Sequence, residues 1–192
     1  MVRSAGKFGT FSLAASILLA GCQFLDTARI KNVKETESTK NNALIFCTGT
    51  EICEFERLDS IKIVDEKTDR MSNEAIQQGV IRLKGNSFQA ENALYLSVPP
   101  QQHEVVIRFY PISKDKAEKL FVIHKFNTKQ NYTFKMYRNR GTGSGSLLNV
   151  SAPDPLCVDL TEGNKTIRRF CKPYNVLNGL GEFVEKKLSN DQ

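Results

Sequence analysis

Runs of like charge are missing from this chain, although it carries a net +6, with 27 Lys and Arg against 21 Asp and Glu. The basic residues are scattered among acidic ones and never reach five or six in succession. Phosphate backbones need a clustered basic face, so nucleic acid is set aside as a partner. Histidine is scarce: His103 and His124 are the two present. The cysteines are spaced more widely than the close ligand pairs of a tetrahedral zinc site, and both histidines lie elsewhere. No metal or other cofactor is expected.

Catalytic signatures are missing too. There is no Gly-x-Ser-x-Gly elbow. The Gly/Ser-rich stretch from Arg138 to Ser146 lacks the Gly-Lys-Ser/Thr of a phosphate loop, because Leu147 and Leu148 follow it. Glu51, Glu54, Glu56, Asp65, Glu66 and Asp69 form an acidic neighbourhood without the spacing of an EF-hand calcium loop, and read as a solvated face. His103 and His124 fall on the same alternating faces as Val105 and Phe126, which suits structural histidines near strand ends. No catalytic residue is assigned, and the chain is not expected to be an enzyme.

A run of about 20 apolar residues, enough for a membrane-spanning helix, is not reached at the start of the chain. What stands there is shorter. Arg3 and Lys7 precede an apolar stretch from Phe8 to Ala20, and the polar Gln23 and Asp26 follow almost at once. That plan fits a removed export signal. It ends in Leu19-Ala20-Gly21-Cys22, which resembles the lipobox of bacterial lipoproteins. The resemblance implies a diacylglyceryl group on the Cys22 thiol, cleavage that removes residues 1–21 as the signal peptide, and acylation (palmitate or similar) of the new amino terminus. Two or more acyl chains give stable anchoring where one is marginal. In the lipoproteins this resembles, Asp after the cysteine often signals retention at the inner membrane. Gln23 stands there instead, so the expected location is the periplasmic face of the outer membrane. The competing readings are an ordinary cleaved signal with a chance cysteine, and a retained anchor helix.

Arg3 and Lys7 leave with the signal, which takes two from the +6 and leaves +4 on the remainder. Five cysteines are present. With Cys22 taken by lipid, Cys47, Cys53, Cys157 and Cys171 remain, and an even number in an exported chain suggests disulfides. Of the three pairings, Cys47–Cys53 and Cys157–Cys171 are favoured, because each closes a short loop.

Residues 22–42 are almost all polar from Lys31 onward and read as a flexible tether, too poor in apolar surface to offset its own ordering. Residues 43–192 read as a single β-rich domain. Short apolar runs recur at Ala43 to Phe46, Phe55 to Val64, Gly79 to Leu83, Ala93 to Val98, His103 to Tyr110, Glu118 to Phe126 and Tyr132 to Tyr137. A helical turn is expected near Asn73 to Gln78. Leu147 to Val150, Leu156 to Leu160 and Thr166 to Phe170 are further strand candidates. His103, Val105, Ile107 and Phe109 alternate with Glu104, Val106 and Arg108, a period of two that turns one face toward a core. Many such strands predict an antiparallel β-sandwich, immunoglobulin-like or transthyretin-like. The tail from Asn175 to Leu188 is expected to form a short helix, with Val176, Leu180, Phe183, Val184 and Leu188 on its apolar side.

Tyr95 to Ile107, with Val98-Pro99-Pro100-Gln101-Gln102-His103 at its centre, resembles the strand–turn–strand of PEGA-type and related surface β-domains. The likeness extends over about 95–138. Gln101 stands where that family usually has glycine. It implies a fold and no chemistry, because such domains serve as spacers and binding modules. The sequence thus predicts a membrane-anchored envelope lipoprotein with a binding or structural module that contacts another envelope protein or a glycan. The alternatives are a lipoprotein subunit of an envelope secretion or assembly machine, and a periplasmic hydrolase inhibitor that uses the Arg138–Ser146 loop.

Overall fold

The computed structural model describes residues 27–49, 52–85, 91–113, 115–139, 155–172 and 181–188. Cys22 and the signal therefore lie outside the described residues, as do the strand candidate at Leu147 to Val150 and most of the Arg138–Ser146 loop.

Among the described residues, eleven strands form two sheets. In chain order they are β1 (Ala43–Thr48), β2 (Ile52–Leu58), β3 (Ile61–Lys62), β4 (Ile81–Leu83), β5 (Leu94–Val98), β6 (Gln102–Tyr110), β7 (Glu118–Lys125), β8 (Asn131–Arg138), β9 (Leu156–Glu162), β10 (Lys165–Lys172) and β11 (Val184–Lys186). A seven-stranded sheet has the order β11-β10-β9-β8-β1-β5-β4, and a four-stranded sheet has the order β3-β2-β6-β7. A helical turn over 27–31 (α1) and a short helix Asn73–Gln77 (α2) complete the elements. Ser72 starts α2 as an N-cap whose side chain accepts from the Ala75 N–H.

The inward rows of both sheets supply one hydrophobic cluster. Ile45, Leu96, Phe134, Met136, Val158 and Leu160 come from the larger sheet; Phe55, Val105, Ile107, Phe109, Leu120 and Val122 come from the smaller. Full burial of such a side chain stabilises by roughly 1.5–3 kcal/mol, so this shared face is what holds the sheets together. The spacing of Phe55 and Leu58 breaks strict alternation, yet both are buried. A bulge explains it. Phe55 pairs Ile107 while Arg57 pairs Val106, so Glu56 is the extra residue and the phase shifts by one.

Two of the crossings between the sheets are tight. Gly49 follows β1 where a Cβ would lie 2.9 Å from Met136 Cβ and from Met136 O, so only glycine fits the crossing toward β2. The Pro99–Gln101 turn carries the chain from β5 in one sheet to β6 in the other. The PEGA-like segment is thus a corner between sheets rather than a hairpin within one.

Three expectations change. The sheets are not wholly antiparallel: β1 and β8 pair in parallel, Ile45 opposite Tyr132. β1 thus lies between β5, which it pairs antiparallel, and β8, which it pairs in parallel. The expected C-terminal helix is absent over 184–186, where β11 adds to β10 with Cys171 opposite Val184. The open edge of β10 offers ladder hydrogen bonds that outweigh a helical periodicity in so short a segment. Val184 is accordingly exposed, while Phe183 packs on the core; Val176 and Leu180 lie outside the described residues. Finally, residues 27–42 of the expected tether follow the body. Ile30 is 2% exposed within the core cluster, and Asn42 Nδ2 donates to Ser97 Oγ at 3.0 Å.

Candidate functional site

The cysteines pair as the spacing suggested, Cys47 with Cys53 and Cys157 with Cys171. The two bridges do different work. Cys47–Cys53 joins β1 to β2, and so ties one sheet to the other at the Gly49 crossing. Cys157 and Cys171 are register partners on β9 and β10, so that bridge reinforces two strands already paired.

His103 is 4% exposed at the corner after Pro99–Gln101. Its Nδ1 lies 2.6 Å from Asp59 Oδ2 and its Nε2 lies 3.0 Å from Pro99 O. A proton on either nitrogen therefore has an acceptor. Asp59, at φ 49 in the turn between β2 and β3, also accepts the Glu104 N–H at Oδ1 (2.8 Å) and donates its own N–H to Glu104 O (2.8 Å). Burial alone would push the Asp59 carboxyl up, but hydrogen bonds from His103 and Glu104 and the positive charge of Arg57 hold it below its ordinary value of 3.8. An Asp–His pair serves catalysis when the far nitrogen faces a nucleophile. Here Nε2 faces a backbone carbonyl, and the pair fastens the β2–β3 turn, β6 and the corner together.

His124, opposite His103 in register, meets Phe126 and Tyr132 edge-on at 5.0 and 5.5 Å. Burial, then the charge of Arg168, lowers its pKa. The two histidines thus cap one end of the core. Tyr132, in contact with both His124 and Phe126, donates to Glu162 Oε1 at 2.6 Å.

The acidic neighbourhood is more than a solvated face. Glu54 and Glu56 stand on the outer side of the small sheet against Arg108, which is fully buried. Arg108 Nη2 donates to Glu54 Oε2 at 3.0 Å, and Tyr110 donates to the same oxygen at 3.0 Å. Lys119 Nζ lies 3.0 Å from Glu56 Oε2 and 2.8 Å from Glu66 Oε2. Burial, reinforced by Glu54, pushes the Tyr110 phenol well above its ordinary value. Asp65 turns away into its own loop, accepting the N–H groups of Lys67 and Thr68, and pairs with Lys62. Glu51 lies outside the described residues. Among the described residues no group of three or more His, Cys, Asp or Glu side chains could hold a metal ion.

The same outer side differs along β7. Phe121 and Ile123 are 60% and 59% exposed, beside the buried Val106 on β6. On β7 the alternating rows Leu120/Val122 and Phe121/Ile123 are both apolar, so alternation does not say which faces out. β7 is the last strand of its sheet, yet its edge is partly covered: Arg168 Nη1 donates to Ile123 O at 2.7 Å, and Lys172 pairs with Glu118. Arg168 also holds Glu185 of β11 through two bonds of 2.7 Å.

No helix among the described residues is long and apolar enough to cross a membrane. Comparison of the chain with protein-family models, with curated proteins and with solved structures finds no match.

Proposed function

We propose that the chain is a cell-envelope lipoprotein, lipid-anchored through Cys22 on the periplasmic face of the outer membrane, whose body is a β-sandwich of immunoglobulin-like or transthyretin-like kind that acts as a binding or structural module. The observation that carries this reading is the conjunction of Leu19-Ala20-Gly21-Cys22 at the end of an export-type run with a body in which the other four cysteines pair. Disulfides persist in oxidising compartments, and they leave Cys22 as the one thiol available for alkylation. Two sheets sharing one core support the sandwich. The Asp59–His103 pair spends its polar atoms on internal contacts, which favours a scaffold over a hydrolase.

The surface this reading uses is the exposed Phe121–Ile123 pair on the outer side of the small sheet, with another envelope protein as the partner. Exposed apolar side chains grouped on one face mark interaction sites more often than scattered ones do.

The test is Cys22→Ser in the native host. The parent chain should sediment with membranes and run as a cleaved form. The variant should remain uncleaved at residue 22 and lose lipid labelling. A variant that is processed, labelled and sedimented as the parent is would contradict the proposal.

A further inference from the structure

The reach of a lipid-held body is set by where its chain first becomes fixed. Expected over 22–42, the tether would give about 20 free residues, with a root-mean-square span of roughly 25 Å and a limit of about 70 Å. The structure fixes the chain far earlier. Ile30 is buried in the core cluster. Arg29 Nη1 donates to Asn73 Oδ1 on α2 at 2.7 Å. Val33 Cγ1 lies only 3.0 Å from where a side chain on Gly79 would begin, so Val33 is seated against that backbone. Further along, Thr39 and Lys40 N–H groups donate to Thr36 O, and Asn42 is held by Ser97.

We infer that the body sits against the headgroup layer of the membrane, with the edge formed by α1 and α2 facing the lipid. The inference rests on the Cys22 anchor proposed above. From Cys22 to Thr27 there are five Cα–Cα steps, a span of at most about 18 Å whatever conformation they take. α2 packs beside β3, at one edge of the small sheet, and β7 forms the other edge. Three strand spacings, roughly 15 Å, therefore separate the lipid-facing edge from β7. Phe121 and Ile123 are carried on the edge away from the bilayer, where a partner from the periplasm can reach them.

The test uses the mature, lipidated chain in vesicles of phosphatidylcholine with anionic phosphatidylglycerol. A donor fluorophore is placed at Gln77→Cys on α2 or at Lys125→Cys on β7, with an acceptor dye in the headgroup layer. Transfer should be several-fold more efficient from position 77 than from position 125. Inserting a 15-residue Gly/Ser segment between Asp26 and Thr27 should weaken transfer from position 77 and abolish the difference. Equal transfer from both positions in the parent, or no effect of the insertion, overturns the inference. Mass spectrometry of the same preparation separates the two failures. A chain without lipid on Cys22 refutes the anchor, whereas a lipidated chain with equal transfer refutes only the close docking.

Discussion

The outer side of the four-stranded sheet has two halves of opposite character. Over β2 and β6 a charged side chain is buried: Arg108 is fully inaccessible among Glu54, Glu56 and Tyr110. Over β7, two large apolar side chains, Phe121 and Ile123, stand in solvent. Residue type would assign these environments the other way round. The difference lies in what covers each half. The segment from Ile63 to Met71 loops back, with Val64 bridging to Met71 and Glu66 reaching Lys119 at the start of β7, whereas Phe121 and Ile123 further along β7 stay open to solvent. Cover is therefore what turns one half into structure and leaves the other for contact.

The largest expected effect comes from breaking the covered half. Arg108→Ala leaves Glu54 without its cation and Glu56 with Lys119 alone. Removing one partner of a buried ion pair typically costs about 3–5 kcal/mol, and urea denaturation of the variant should show a loss of that order. A loss below about 1 kcal/mol would mean that Arg108 is solvated and that the two halves do not differ as argued.

Next is the fastening at the end of the same sheet. Asp59→Ala removes acceptors for the Glu104 N–H and for His103, and leaves a buried ring nitrogen unpaired. An unmet buried donor costs about 1–3 kcal/mol, and because Asp59 itself is partly exposed, the lower end of that range is expected by the same measurement.

Acid sharpens this point. The Asp59 carboxyl lies below its ordinary 3.8 in the folded chain, so its contribution is present in full above that value and is lost as pH falls through the folded one. His124 acts in the same direction at higher pH. Burial disfavours its charged form, so protonation below its ordinary 6.5 favours the unfolded chain. Stability should thus fall from neutral pH toward pH 3, and Asp59→Asn should flatten the lower part of that profile by under about 1 kcal/mol. Thermal midpoints at several pH values check it, and an unchanged profile in the variant would count against the Asp59–His103 link.

The smallest effect on stability belongs to the open half. Phe121→Ser with Ile123→Ser should change the unfolding free energy by no more than about 0.5 kcal/mol per site, as for other exposed positions. The same double variant should lose an envelope partner that the parent retains in detergent extracts. A clear loss of stability would show that the pair is covered in the folded protein and leaves no free surface.

Much of this architecture could be read in advance. The alternation in β6, β7 and β8 gave their positions within a residue or two, and cysteine spacing gave both bridges. The strand at 184–186 could not be read, because its partner, the β10 edge, is contributed by residues ten or more positions away, and three residues carry no periodicity. Arg108 was legible only as the polar member of an apolar strand. Its burial depends on a loop some forty residues earlier in the chain. The seating of residues 27–42 is illegible for a related reason: Ile30 and Val33, isolated apolar residues in a largely polar stretch, are invisible to composition, yet Ile30 enters the core and Val33 seats against Gly79. Sequence pattern reports which faces are alike, and only the fold reports which are covered.

The central claim is that one thiol carries lipid while four are closed in pairs. Intact-mass analysis of the chain purified from membranes, with and without prior reduction and alkylation, tests it directly. The expected chain begins at Cys22, bears a diacylglyceryl group and an acyl chain on that residue, and takes up alkylating reagent at Cys47, Cys53, Cys157 and Cys171 only after reduction. An unmodified residue 22, or four thiols that react without reduction, would contradict it.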